Sequence, residues 1–134
     1  MIITLDVSAA VELIMGRKKQ IFIKSKLENA DWIITPTLFI YEASNVMWKY
    51  NSFKNFSKDK LMHKLKLSIE LIDNFIKSEE IYEEALNTSI EIDHPTYDAM
   101  YLVTSQRKNA KLLTLDKKLI DAAKKIGVPV FSEN

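Results

Sequence analysis

Four acidic residues stand where their chemistry could be combined. Asp6 ends the run "IITLD", and Asp116 ends "LLTLD". Asp98 lies near the start of "TYDAMYLVTSQRK", and Glu42 is the only charged residue in "PTLFIYEASNVMW". Carboxylates gathered at one point are hard oxygen donors, suited to Mg²⁺ or Mn²⁺, and Mg²⁺ typically bridges to phosphate oxygens. Zinc is a poor guess, because the chain has no cysteine and no suitably spaced histidine pair. Taken singly, each acid has a plainer reading. Asp6 and Asp116 are good helix N-caps, Asp98 suits a helix dipole, and Glu42 could be a partly exposed helix residue. Glu42 asks most for a partner. A lone carboxylate in an apolar segment is costly unless it is paired or binds a cation, and the next basic residue is Lys49.

The elements that must position these acids can be read from the pattern. Ile2 to Leu5 is a short strand-like run, and Ser8 is a good N-cap for a helix over Ala9 to Met15, stopped by Gly16. Lys18 to Asn29 reads as a second helix. Trp32 to Thr35 reads as a second strand, with Pro36 opening a helix that runs to about Tyr50. "NSFKNFS" is a polar connection. Ser57 then caps a long helix whose buried stripe is Leu61, Leu65, Ile69, Ile72 and Ile76. Glu80 to Ile90 is a further helix, and His94-Pro95 breaks the chain. Thr96 caps a helix to about Arg107, Lys111 to Leu115 is a strand, and Lys117 to Lys125 is a helix. Val128 to Phe131 is a last strand, with Pro129 placing it at a sheet edge. Strands alternating with helices predict an α/β domain with a parallel sheet. In such sheets ligands bind outside the carboxyl ends of the strands, which is where Asp6 and Asp116 fall.

The totals bound the function. The chain has 134 residues, 47% hydrophobic and 28% charged, which reads as one soluble globular domain spanning 1–134. Without cysteine, disulfides and thiolate metal sites are excluded. "MIITLD" has neither a basic leader nor a long apolar run, and no stretch is long enough to span a bilayer, so a cytoplasmic protein with no membrane partner is expected. A formal net charge of +1 neither requires nor forbids a nucleic-acid partner, since a basic patch can sit opposite an acidic pocket.

Three segments, "IITLDVSAAVELI", "TPTLFIYEASNVMWK" and "TYDAMYLVTSQRKNAKLLTLDKKL", resemble the acidic motifs of PIN-domain ribonucleases. The similarity is greatest to the VapC-type toxins of toxin–antitoxin modules. It spans nearly the whole chain in order. The resemblance implies a three-layer α/β/α sandwich around a parallel sheet. It implies that Asp6, Glu42, Asp98 and Asp116 are the acidic site, with Ser8 and Thr114 as the small polar residues beside it. It further implies metal-dependent endonucleolytic cutting of RNA. Asp6, Asp98 and Asp116 would hold one or two Mg²⁺ or Mn²⁺ ions, while Glu42 would join the metal shell or orient a water. Its partners would be an RNA substrate, an antitoxin and a second copy of the chain. "HPTYDA" departs from the more usual loop before the third acid, and Asn51 to Glu80 matches no motif.

Phosphate contacts need cations near the acids. Lys117 and Lys118 directly follow Asp116 and are the first candidates; Arg17, with Lys18 and Lys19, and Arg107, with Lys108 and Lys111, form two further clusters. His63 and His94 are not required, because a metal-activated water needs no histidine. Tyr41, Tyr101, Trp32 and Trp48 are most simply core and interface aromatics, and Tyr97 is a candidate for base stacking. Three other readings compete. An aspartyl-phosphate enzyme could use Asp6, but "LDVSA" lacks the second aspartate of an Asp-x-Asp nucleophile motif. An inactive PIN-like binding module could use the apolar Phe53 to Ile76 region as an interface. An RNA-processing nuclease could act without any antitoxin.

Overall fold

A computed structural model describes residues 1–133. Its elements are β1 (Ile2–Leu5), α1 (Val7–Ile14), α2 (Gln20–Glu28), β2 (Trp32–Pro36), α3 (Leu38–Lys54), α4 (Lys58–Glu70), β3 (Asn74–Ile76), α5 (Ser78–Ile92), α6 (Thr96–Lys108), β4 (Lys111–Leu113) and α7 (Lys117–Lys125). The strands form one sheet in the order β3-β2-β1-β4, and every pairing is parallel. This is the α/β architecture expected, with helices on both faces.

The sheet is apolar on both sides, as a parallel sheet covered by helices must be. Ile3, Leu5 and Leu113 pack with Val7, Ala10, Ile23 and Phe39 on one face. Leu112 packs with Tyr101, Leu102 and Leu119 on the other. Thr4 also turns to this second face, where Ser105 Oγ of α6 donates to its hydroxyl at 2.9 Å. Helices α3, α5 and α6 end at Asn55, Asp93 and Asn109, with φ of 55°, 54° and 50°. Asn and Asp tolerate this left-handed conformation better than other residues with a Cβ.

Several boundaries differ from expectation for physical reasons. Pro36 does not open α3; it is the last residue of β2, aligned with Ile76 of β3. The helix after it runs to Lys54, so half of "NSFKNFS" is helical rather than connecting. Ser57 caps α4 as expected, its hydroxyl accepting from Lys60 N at 3.3 Å. That helix stops at Glu70, however, and Ile76 belongs to β3. Thr96 is the first residue of α6, and the N-cap is Pro95. The closing Val128 to Phe131 segment makes one parallel bridge, Val130 to Leu112, rather than a full strand. Leu112 N donates to Pro129 O at 2.8 Å and Phe131 N to Leu112 O at 3.1 Å, so the segment lies along the β4 edge.

Candidate active site

Asp6 follows the carboxyl end of β1 and is the N-cap of α1. It is buried, with 7% of its surface exposed. Its Oδ2 accepts from Ser8 Oγ at 2.6 Å and from Thr114 Oγ1 at 2.7 Å, with a longer 3.4 Å bond from Ser8 N. The two hydroxyls lie 3.2 Å apart. Each is itself anchored by the strand-to-helix turn after β4: Leu115 N donates to Ser8 Oγ at 2.9 Å, and Asp116 N donates to Thr114 Oγ1 at 3.0 Å. One carboxylate oxygen is therefore engaged by a rigid hydroxyl pair that ties the β1 end to the β4 end. The other oxygen, Oδ1, lies outside this cradle.

Asp116 is the exposed N-cap of α7, its Oδ1 accepting from Lys118 N at 3.0 Å. Asp98 sits half-buried in the first turn of α6. Glu42 is half-buried on α3, and its Oε1 accepts from the Tyr101 hydroxyl at 2.6 Å. Tyr101 is buried and lies one turn beyond Asp98 on α6. The plainer readings of Asp6 and Asp116 as caps are thus both true, and neither prevents a second role.

Charge ties the four acids together. Desolvation raises the proton affinity of Asp6; the Ser8 and Thr114 hydroxyls oppose it, and the charge of Asp116 adds to it. Desolvation, then the charges of Asp116 and Asp6, raises Asp98, while His94 and Lys118 partly offset this. Burial pushes Glu42 up to about 6 against the Tyr101 bond, assisted by Asp6, Asp98 and Asp116. Burial also raises the Tyr101 phenol, with the charges of Asp6 and Glu42 adding to the effect, so it stays a donor. Four carboxylates from β1, α3, α6 and the end of β4 therefore feel one another's field, a repulsion that a cation relieves.

A hard divalent cation fits this donor set by chemistry: the donors are carboxylate oxygens, and their charge is only partly offset, by His94 and Lys118 near Asp98. The fit is electrostatic rather than a finished coordination shell. Among the described residues no three His, Asp or Glu side chains stand close enough together to hold an ion as they are.

The cations singled out in the sequence fall in different places. Lys117 and Lys118 are exposed in the first turn of α7, beside Asp116, and Lys118 is close enough to Asp98 to lower its proton affinity. Arg17 lies past the far end of α1, where Nη1 donates to the Tyr50 hydroxyl at 3.1 Å and Nε lies 3.7 Å from Glu12. Arg107 is held by both carboxylate oxygens of Glu84, and Lys19 by Glu133 at 2.5 Å. His63 is exposed. His94 lies near Asp98; Lys125 Nζ contacts its Nε2 at 3.1 Å, and its buried Nδ1 has no hydrogen-bond partner among the described residues.

Tyr101 is the site neighbour that sequence reasoning assigned to the core. The ring is core, but its hydroxyl is not spare. The available signal was its spacing three residues after Asp98, which puts both on one face of a helix.

Comparison with solved structures agrees with this architecture. PAE2754 from Pyrobaculum aerophilum superposes with a TM-score of 0.75 at 20% identity, over 96% of this chain and 81% of that one. A toxin-antitoxin complex from Klebsiella pneumoniae gives 0.66 at 20% identity, covering 96% and 95% of the two chains. VapBC2 from Rickettsia felis, bound to a DNA fragment from its promoter, gives 0.67 at 16% identity, covering 98% of each chain. At such identities the likeness is one of fold. No curated protein matches the sequence. The PIN-domain family model matches residues 3–125, a span that includes all four acids and both hydroxyls around Asp6, and the chain belongs to the PIN-domain family.

Proposed function

We propose that this chain is a metal-dependent endoribonuclease that hydrolyses RNA phosphodiester bonds, and that it is the toxin of a toxin–antitoxin pair. The observation that carries the reading is the shared field of Asp6, Glu42, Asp98 and Asp116, four acids from separate segments of the chain. Asp6, Asp98 and Asp116 are the residues to hold Mg²⁺ or Mn²⁺. When bound, the cation supplies an acidified water and neutralises charge growing on the scissile phosphate. Glu42 assists from the metal shell or orients that water, and Tyr101 fixes its carboxylate. Ser8 and Thr114 fix Asp6. Lys117 and Lys118 are placed to take substrate phosphates on the exposed first turn of α7, with Arg17 a more distant contact. Single-stranded or looped RNA is the natural substrate, because its backbone and bases are open to attack.

Likeness in fold to the Klebsiella and Rickettsia toxin–antitoxin proteins supports an antitoxin partner. Trp48, Phe53 and Met62 expose 57%, 71% and 45% of their surface on α3 and α4, which suits a protein contact. A homodimer is part of the same reading. The test is cleavage of tRNA and rRNA by chain freed of any co-purified partner, in Mg²⁺ or Mn²⁺, with EDTA and Asp98→Asn as controls. Cutting that both controls abolish supports the nuclease. A chain that binds no metal and cuts nothing is instead a PIN-fold binding module.

A further inference from the structure

A second feature stands apart from the acids. A groove of about 430 Å³ opens between the far end of α1, the end of α3 and the start of α4. Arg17, Lys54, Lys60 and Lys64 line it, together with the rings of Tyr50 and Phe56. The rings pack edge to face with centroids 5.2 Å apart. Lys54 Nζ sits 5.3 Å from the centre of the Tyr50 ring, and Lys60 Nζ sits 4.6 Å from that of Phe56. Arg17 donates to the Tyr50 hydroxyl. The aromatic pair thus acts as a post against which three cations are held.

These charges are poorly compensated. Among the described residues Glu12, at 3.7 Å from Arg17, is the one carboxylate that pairs with the set, and Lys54, Lys60 and Lys64 form no ion pair. Four cations around one concavity, in a chain whose formal net charge is only +1, concentrate positive potential there. Solvated lysines on a helix usually point apart. Here two are turned onto ring faces, which fixes their direction at modest entropic cost.

Position then narrows the ligand. Two of the three helices around the groove, α1 and α3, carry site acids toward their other ends. Asp6 caps the start of α1, a helix of 8 residues and so about 12 Å long, and Arg17 lies shortly beyond its far end. Glu42 lies two turns before Tyr50 on α3, also about 12 Å along the axis. A flexible polyanion seated at the acids can therefore continue into the groove within a few nucleotides. An amphipathic peptide has a better seat in a separate groove between α3 and α4, where Met47, Trp48, Leu61 and Leu65 make a more apolar lining than Met15, Tyr50 and Phe56 make here.

We infer that the Arg17, Lys54, Lys60 and Lys64 groove is a phosphate-binding exosite for single-stranded RNA, engaging backbone beyond the cleaved bond. That the strand continues from the acids rests on the ribonuclease reading; the groove's affinity for RNA does not. Each phosphate neutralised on a single strand contributes about 0.7 to the slope of log affinity against log salt. Replacing Lys54, Lys60 and Lys64 together with Gln therefore lowers that slope by about 2, and weakens binding about 100-fold near 0.1 M salt.

The test measures binding first and cleavage second. Binding of a labelled RNA of about twenty nucleotides is followed across a salt series with Asp98→Asn chain in EDTA, with and without the three groove substitutions. A control chain carrying Lys24→Gln, Lys77→Gln and Lys124→Gln, all at exposed positions outside the groove, loses the same charge elsewhere. Selective loss of affinity and slope in the groove variant supports the exosite. Equal loss in both variants, or in neither, overturns it. Labelled poly-glutamate that binds in a groove-dependent way while RNA does not bind overturns it in favour of an acidic peptide. If the triple variant melts early, Lys60→Glu, at an exposed position, serves alone and must weaken binding in the same direction. In Mg²⁺, groove substitution slows cutting of the long RNA and leaves an RNA of about four nucleotides unaffected. Groove-dependent binding without any cutting keeps the exosite and removes the nuclease. Cutting with groove-independent binding does the reverse.

Discussion

Replacing Glu42 with Gln stabilises the metal-free protein at neutral pH and has no effect in acid. Glu42 is half-buried among three other acids, and its carboxyl is pushed from 4.5 up to about 6. A folded-state value above the unfolded one means the native chain holds a proton that the unfolded chain has released. Stability from this group is complete below about pH 4.5 and is lost as pH rises through about 6. A rise of that size corresponds to about 2 kcal/mol. Solvent reaches part of the side chain, so about 1 kcal/mol is the figure to expect. Gln cannot ionise, yet its carbonyl still accepts from the Tyr101 hydroxyl, so the buried phenol keeps its partner. Melting curves in EDTA from pH 4 to pH 8 isolate the effect. The two chains coincide at the acid end, and the variant melts about 3 °C higher at pH 8. A constant offset across the range, or a variant that melts lower at pH 8, refutes the account. The same variant loses RNA cleavage under the proposed function, so stability and activity move in opposite directions at one atom.

Two further outcomes bear on the site. Thr114→Val removes a buried hydroxyl that donates to Asp6 Oδ2 and accepts from Asp116 N; urea unfolding at pH 7 should show a loss of about 1–3 kcal/mol, and a loss indistinguishable from zero contradicts the structural role assigned to the hydroxyl pair. Mg²⁺ or Mn²⁺ at saturating concentration should raise the melting temperature of the wild type, by the equivalent of about 2.7 kcal/mol at a hundred times the dissociation constant, and Asp98→Asn should abolish most of that gain.

The acidic positions and the β1, α1, β4 and α7 framework were legible because their signals are local. A short apolar run ending in Asp and followed by a helix pattern describes both Asp6 and Asp116, and α7 runs over the residues expected. What was not legible depends on partners distant in sequence. The three residues of β3, "NFI", carry no periodicity of their own, and Ile76 extends the apolar stripe of α4 by apparent helical spacing. Only the pairing of Asn74 with Ile34 and of Ile76 with Pro36 makes this segment a strand. From sequence Pro36 suits a helix opener, because its fixed φ fits a first turn. At the end of a strand its missing N–H is equally harmless, and there β2 ends. Nothing in the local sequence singles out Lys54 or Lys60; their alignment on Tyr50 and Phe56 depends on the return of α4 against α3.

Asp6 and Asp116 share a role as helix caps, yet their surroundings differ in a way that bears on function. Asp116 is exposed and makes one 3.0 Å bond to Lys118 N, which is all that capping requires. The capping bond of Asp6 is poor at 3.4 Å, whereas its two hydroxyl bonds are short at 2.6 and 2.7 Å. Burial raises its proton affinity despite those hydroxyls, so ionised Asp6 works against the fold. Asn would cap α1 about as well without that cost. A buried carboxylate held on one oxygen by two hydroxyls, Ser8 of α1 and Thr114 just after β4, within the field of a second acid, is not explained by capping α1. It is explained by fixing a negative oxygen at the carboxyl edge of the sheet. Under the proposed function, a cation bound beside Asp6 would relieve that destabilisation and so couple the stability of this edge to the metal.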